Sequence, residues 1–163
     1  MTSLSFSKAK QVKKAPKKAV KKVKVLTLSK AKDRAWKAFS RFIRLRDCWI
    51  DTKSLECHCV TCGRLYKFGS TLHAGHFQPG RHANLLFDEE QVHAQCQICN
   101  RWRKGMWPEY YEYMVKRYGL ERVQKMIASR NKIIQYKVAD YLFIEEEYKN
   151  RSKQYEEKLS LTL

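Results

Sequence analysis

The sequence predicts an α+β fold in which a small core of short strands and turns is flanked by an N-terminal helix and by C-terminal helices. Three observations predict it. Helical periodicity runs through residues 29–47 and resumes beyond Pro108; residues 48–95 are turn-rich, broken by Gly63, Gly69, Gly75, Pro79 and Gly80; and two Cys-x-x-Cys pairs, Cys59/Cys62 and Cys96/Cys99, bracket most of that stretch. With 163 residues and 44% hydrophobic content, the chain can build one modest core with extensions but hardly two independent ones.

Residues 1–29 read as a basic, disordered arm. The formal charge of +18 is unevenly placed, with +14 in residues 1–50 and +4 in residues 51–163. Lys13-Lys14, Lys17-Lys18 and Lys21-Lys22 recur at four-residue steps, Pro16 interrupts them, and such a run repels itself without enough apolar surface to order it. It releases counterions on meeting a polyanion, so nucleic acid is the partner that the composition points to. A solubility tail or a localisation signal is the plainer use of the same lysines. A membrane surface fits less well, because Lys alternates with Ala and Val and bulky apolar anchors are missing. No apolar leader opens the sequence and no apolar run approaches the length of a membrane span, so a cytoplasmic protein is expected, without membrane association.

A domain over residues 30–107 begins with an amphipathic helix from Ser29 to Asp47. Trp36, Phe39, Ile43 and Arg46 fall three to four apart with Phe42 alongside, while Lys37, Arg41 and Arg44 occupy the other face, where they can meet backbone phosphates. The runs Arg64–Phe68 and Ser70–Ala74 read as short strands, and a short helix from Asn100 to Lys104 is closed by Gly105. Residues 108–163 form a helical region. Pro108 opens a helix ending near Gly119, a second covers Leu120 to Arg130, and a long one runs from Val138 to Leu159. In the last, Val138, Tyr141, Tyr148, Tyr155 and Leu159 make a stripe that Glu145 and Ser152 interrupt. Its expected use is packing on its own domain; a homodimer contact is the alternative.

Without export, paired Cys-x-x-Cys turns indicate metal rather than cystine. Each turn sets two thiolates on one side of an ion, so Cys59, Cys62, Cys96 and Cys99 complete a tetrahedral shell suited to structural Zn²⁺. The pairs lie 33 residues apart, which leaves room for a β-hairpin. Cys48 and Cys57 are spare, because Cys59-Val60-Thr61-Cys62-Gly63 ends in a glycine suited to the turn. His58 and His82 read as surface or phosphate-contacting residues. Because residues 48–105 bury little by themselves, metal binding should supply part of the folding free energy.

The order Cys-x-x-Cys, Gly75-His76, Cys-x-x-Cys-Asn100 resembles the His-Asn-His (ββα-metal) endonucleases. More narrowly, residues 35–105 resemble the NinG/Rap recombination endonucleases of lambdoid phages, through Phe42–Asp47, Cys59–Gly63, Ala74-Gly75-His76-Phe77, Val92–Cys96 and Cys99-Asn100, with a weaker continuation to about residue 159. The resemblance implies a zinc-stabilised, HNH-like ββα core, cleavage of branched DNA such as Holliday junctions and D-loops, and phage recombination proteins as partners in a bacterial host cytoplasm. It assigns His76 as general base and Asn100 as a ligand of a catalytic Mg²⁺ or Mn²⁺. The plainer readings are a core histidine bonded to a backbone carbonyl and a helix N-cap.

Two departures stand out. Gly75 replaces the Asp that precedes the histidine in many members, so a second cation ligand must come from His93, Asp88 or His73; His93 is preferred for its closeness to Cys96, whereas strand alternation turns His73 away from His76. The residue that orients the histidine in many relatives falls near Gln91. Arg81 and His82, then Arg101, Arg103 and Lys104, are placed to hold phosphates. Trp102 and Trp107 suit either the core or a wedge in an opened junction. A non-catalytic zinc-ribbon module that binds nucleic acid is the rival reading.

Overall fold

In the computed structural model, which describes residues 25–80 and 83–160, helix α1 (Leu28–Asp51) is the spine on which the other elements pack. Thr27 caps its start by accepting the Lys30 N–H, and the helix runs one turn beyond the predicted end before Thr52 closes it on the Cys48 carbonyl. The predicted stripe is the buried one: Phe39, Phe42 and Ile43 form a core with Ala74, Val92 and Tyr148. Burial of a large apolar side chain such as Phe39, Phe42 or Ile43 stabilises the fold by roughly 1.5–3 kcal/mol.

Two antiparallel hairpins follow. In the first, β1 (Glu56–His58) pairs with β2 (Leu65–Lys67), with Cys57 opposite Tyr66. In the second, β3 (Leu72–His76) pairs with β4 (Val92–Cys96), with Ala74 opposite Ala94 and His76 opposite Val92. Between Cys96 and the next helix lies a five-residue π-type turn, Ile98–Trp102, where a short helix was expected at 100–104. The chain then forms α2 (Trp107–Tyr118), α3 (Leu120–Ala128) and α4 (Val138–Ser160), all close to their predicted bounds.

The architecture is thus α+β, with β3 and β4 between α1 on one face and α2 on the other. Phe77, Tyr110, Met114, Val123 and Met126 fill the second face. The stripe of α4 packs along α1: Tyr148 sits edge-on to Phe39 at 4.8 Å. Glu145 and Ser152, read in the sequence as interruptions, lie inside this interface. Glu145 is ion-paired at 2.8 Å with Arg34 and at 2.6 Å with Lys149, and Ser152 donates to the Tyr148 carbonyl. The predicted basic arm falls outside the described residues save for its last few positions.

A buried polar knot joins α1 to β4. Asp47 accepts the Ala94 N–H at 2.7 Å and bonds Arg46, whose guanidinium donates to the carbonyls of Val92 and Glu89. Burial alone would raise the Asp47 pKa, but the Arg46 guanidinium, His93 and the Ala94 N–H outweigh it and hold the carboxyl below its usual range.

Candidate functional site

The four predicted ligands meet. The sulfurs of Cys59, Cys62, Cys96 and Cys99 lie within 4.8 Å of one another, close enough to surround a metal ion such as zinc. Sulfurs on one tetrahedral zinc, each about 2.3 Å from it, would be roughly 3.8 Å apart, so a small contraction completes the shell. Gly63, in the left-handed region at φ 67°, makes the first turn possible. Backbone amides reinforce the cluster: the Cys96 N–H lies 3.2 Å from the Cys59 sulfur, and the Cys99 N–H 3.4 Å from the Cys96 sulfur. Burial disfavours the Cys96 thiolate, but bonds from the Tyr66 hydroxyl and the Cys99 amide bring its pKa down to about 7. Cys48 and Cys57 sit apart in a core with Leu72 and Ala94, where the Cys48 contact and burial push the Cys57 thiol far up.

His76 ends β3, where two other elements pin the strand: Tyr110 of α2 donates to the Gly75 carbonyl at 2.8 Å, and the Phe77 N–H bonds the Gln91 carbonyl. Its ring stacks on Trp36 of α1, with centroids 5.0 Å apart and planes 18° from parallel, and Nε2 lies 3.4 Å from the Leu86 carbonyl. A carbonyl can only accept, so this contact places a proton on Nε2 and leaves Nδ1 as the basic nitrogen. The ring is half-buried and lines a cleft of about 290 Å³ with Asn100, Lys104, Trp36 and Trp107.

Asn100, on the turn that carries Cys99, also lines a second cleft beside His73, Arg44 and Arg101. His73 Nε2 lies 3.1 Å from the Ser70 carbonyl and must donate to it, so Nδ1 accepts the Asn100 amide N–H at 3.1 Å. The Asn100 amide is thereby oriented with its nitrogen on His73, and its oxygen is the atom that this bond does not use. Burial, then the charges of Arg101 and Arg44, lower the His73 pKa and so keep Nδ1 an acceptor at neutral pH. His73 alternates away from His76 along the strand, as expected, yet both reach clefts that share Asn100.

Other expectations meet a different structure. His93 does not join His76 and Asn100. It is 0% exposed, with Nδ1 3.2 Å from the Arg46 guanidinium and Nε2 3.1 Å from the Glu90 carbonyl, so it is a buried link in the α1–β4 knot rather than a cation ligand. Asp88 accepts the Glu90 N–H and a Gln91 amide proton, which shapes its own loop. Gln91 is buried, with its side-chain oxygen accepting from the Gln78 amide, and the carbonyl that lies 3.4 Å from His76 Nε2 is that of Leu86. A side chain at Gly75 would meet the Gln95 side-chain oxygen at 2.3 Å, so no Asp fits there while Gln95 holds the Gly105 carbonyl.

Of the cationic candidates, Arg44 bonds the carbonyls of Gly69 and Leu72, and Arg41 pairs with Glu156 at 2.8 Å. Arg101, Arg103 and Lys104 are exposed around the turn. His58 bonds Asp51 on the surface. Arg81 and His82 lie outside the described residues.

Among characterised families, the model of the bacteriophage lambda NinG protein matches residues 3–158, nearly the whole sequence. The chain belongs to the NinG family. Similar NinG relatives come from Escherichia phage 933W, 31% identical over 99 residues (60% of this chain and 45% of the relative), and from Salmonella phage P22, 30% identical over 120 residues (73% and 54%). The NinG protein of Escherichia phage lambda is 30% identical over 99 residues, 60% of this chain and 44% of that protein. The chain therefore spans about half the length of the curated NinG proteins it matches. No solved structure shows significant similarity to it. Among the described residues, no helix of this NinG chain is long and apolar enough to cross a membrane.

Two residues take roles in the site that the sequence does not announce. Trp36 was legible as a member of the α1 stripe but not as the platform beneath His76, and nothing in the spacing announces that His73 orients Asn100.

Proposed function

We propose that this NinG-family chain is a zinc-stabilised endonuclease of the His-Asn-His (ββα-metal) type that cuts branched DNA, Holliday junctions and D-loops in particular, during phage recombination in the host cytoplasm. The observation that carries the reading is the half-buried His76 ring, fixed between Trp36 and the Leu86 carbonyl in a cleft that also holds Asn100 and Lys104. The order β3, loop, β4 and the Ile98–Trp102 turn supports the ββα assignment, with the final helix shortened to five residues.

In this reading Zn²⁺ on the four cysteines fixes the turn, and so the position of Asn100, without taking part in chemistry. Nδ1 of His76 takes the proton from an attacking water, while its Nε2–H remains on the Leu86 carbonyl, which orients the ring and supports the charge it acquires. Lys104, Arg101 and Arg103 hold phosphates beside the base. Among the described residues no carboxylate lines either cleft, so these residues offer a catalytic cation chiefly the Asn100 amide oxygen, with phosphate oxygens and water left to complete the shell. A bound Mg²⁺ or Mn²⁺ would supply charge neutralisation at the scissile phosphate.

That same lack of carboxylates favours one rival, a zinc-stabilised DNA-binding protein without catalysis. Incubating the protein with labelled four-way junction and with linear duplex of the same sequence, with and without Mg²⁺ or Mn²⁺, separates them. The nuclease reading expects cation-dependent cuts confined to the junction; intact junction under every condition, despite binding, leaves the rival. Paired cuts across a symmetric junction would further require two active sites, hence a homodimer on DNA, which sedimentation of the complex would reveal.

A further inference from the structure

Of the four tryptophans, three are engaged by the protein. Trp36 stacks on His76, Trp107 on Phe77 at 6.0 Å, and Trp49 has Lys53 and Lys158 over its ring. Trp102 is 74% exposed, and among the described residues no ring or cation packs on it. A single exposed apolar side chain is ordinary, and Val25, Ile133 and Phe143 are as open; what distinguishes Trp102 is its setting. Trp102 ends the π-type turn anchored by Cys99, two residues from Asn100, and its neighbours Arg101, Arg103 and Lys104 are all exposed cations. An exposed aromatic side chain with cationic residues on both sides of it in the chain is complementary to an unpaired nucleotide, whose base can stack while its phosphates meet the cations.

We propose that Trp102, with Arg101 and Arg103, is a stacking platform for an unpaired base next to the His76 cleft, and that it makes DNA with unstacked bases the preferred ligand over intact duplex. The proposal deepens the nuclease reading by naming what the protein recognises at a branch, but the binding step does not require cleavage. The position suits recognition: the turn is tied to the cysteine cluster, so a base on Trp102 sets the phosphate register relative to Asn100 and His76. Inside a duplex both faces of each base are covered by stacked neighbours, so internal pairs cannot use the platform.

The test uses the full chain with no added Mg²⁺ or Mn²⁺, so that binding is read alone. Affinities for an oligo(dT) strand and for a fully paired duplex are measured by anisotropy for the wild type, Trp102→Ala and Trp102→Phe. Loss of one stacked base should weaken oligo(dT) binding by about tenfold in Trp102→Ala, with most of it restored in Trp102→Phe and duplex affinity unchanged. Fluorescence quenching by oligo(dT) should also be smaller in Trp102→Ala than in the wild type. Equal oligo(dT) affinity in the wild type and Trp102→Ala would overturn the proposal, as would an equal loss on both DNAs. Failure here leaves junction cleavage by His76 intact as a separate result, and absence of cleavage leaves this binding result standing.

Discussion

At Gly75, one missing side chain decides where a cation cannot be held. The Cβ of any other residue would collide with Gln95, which also secures the Gly105 carbonyl behind the cysteine cluster. Gly75→Asp should therefore lower the melting temperature without adding cation affinity, and a thermal scan with and without Mn²⁺ reads both effects. Asp47 offers a pH signature. Its folded pKa lies below the unfolded value of about 3.9, so its contribution is complete above that pH and is lost as pH falls toward the folded pKa. Asp47→Asn should cost roughly 3 kcal/mol at pH 7, because it leaves the Arg46 charge buried without its partner. The variant's urea midpoint should then fall less than the wild type's as the pH drops from about 4 toward 2. An unchanged midpoint at neutral pH would show that the knot between α1 and β4 contributes little.

The elements differ in how plainly the sequence announces them. Helices α1 to α4 were legible because their apolar residues recur at helical spacing and Pro108 and Gly119 punctuate them. Strand β4 was not, because all of Val92–Cys96 is buried and the alternation that marks a half-exposed strand disappears. For the same reason the sequence does not reveal the setting of His93: nothing in its own segment shows that Arg46 and Asp47, from a distant helix, take up its ring. Arg46, counted among the apolar stripe of α1, does lie on the buried face and is satisfied there by two carbonyls. The cysteine cluster was fully legible, since its spacing is the chemistry. Along α4, Tyr148 wedges between Phe39 and Phe42 and donates to Glu89. Tyr148→Ala should lower the unfolding free energy by about 3–4 kcal/mol in urea titration, with far-UV dichroism showing the helices retained in water.

For the whole molecule, the cysteine cluster joins the two hairpins to the turn that carries Asn100, so metal removal should loosen the clefts before it melts α1 and α4. A strong thiol-competing chelator is expected to release about one zinc per chain and lower the melting temperature by many degrees, with helical dichroism largely kept at low temperature. With no carboxylate among the described residues of either cleft, Mg²⁺ should leave the melting temperature of the DNA-free protein unchanged. The most direct measurement of the central claim compares the wild type with His76→Ala on a labelled four-way junction, scoring binding and cation-dependent cleavage side by side. The account predicts equal binding and cleavage lowered at least a hundredfold in the variant; cleavage at the wild-type rate without the imidazole would contradict it.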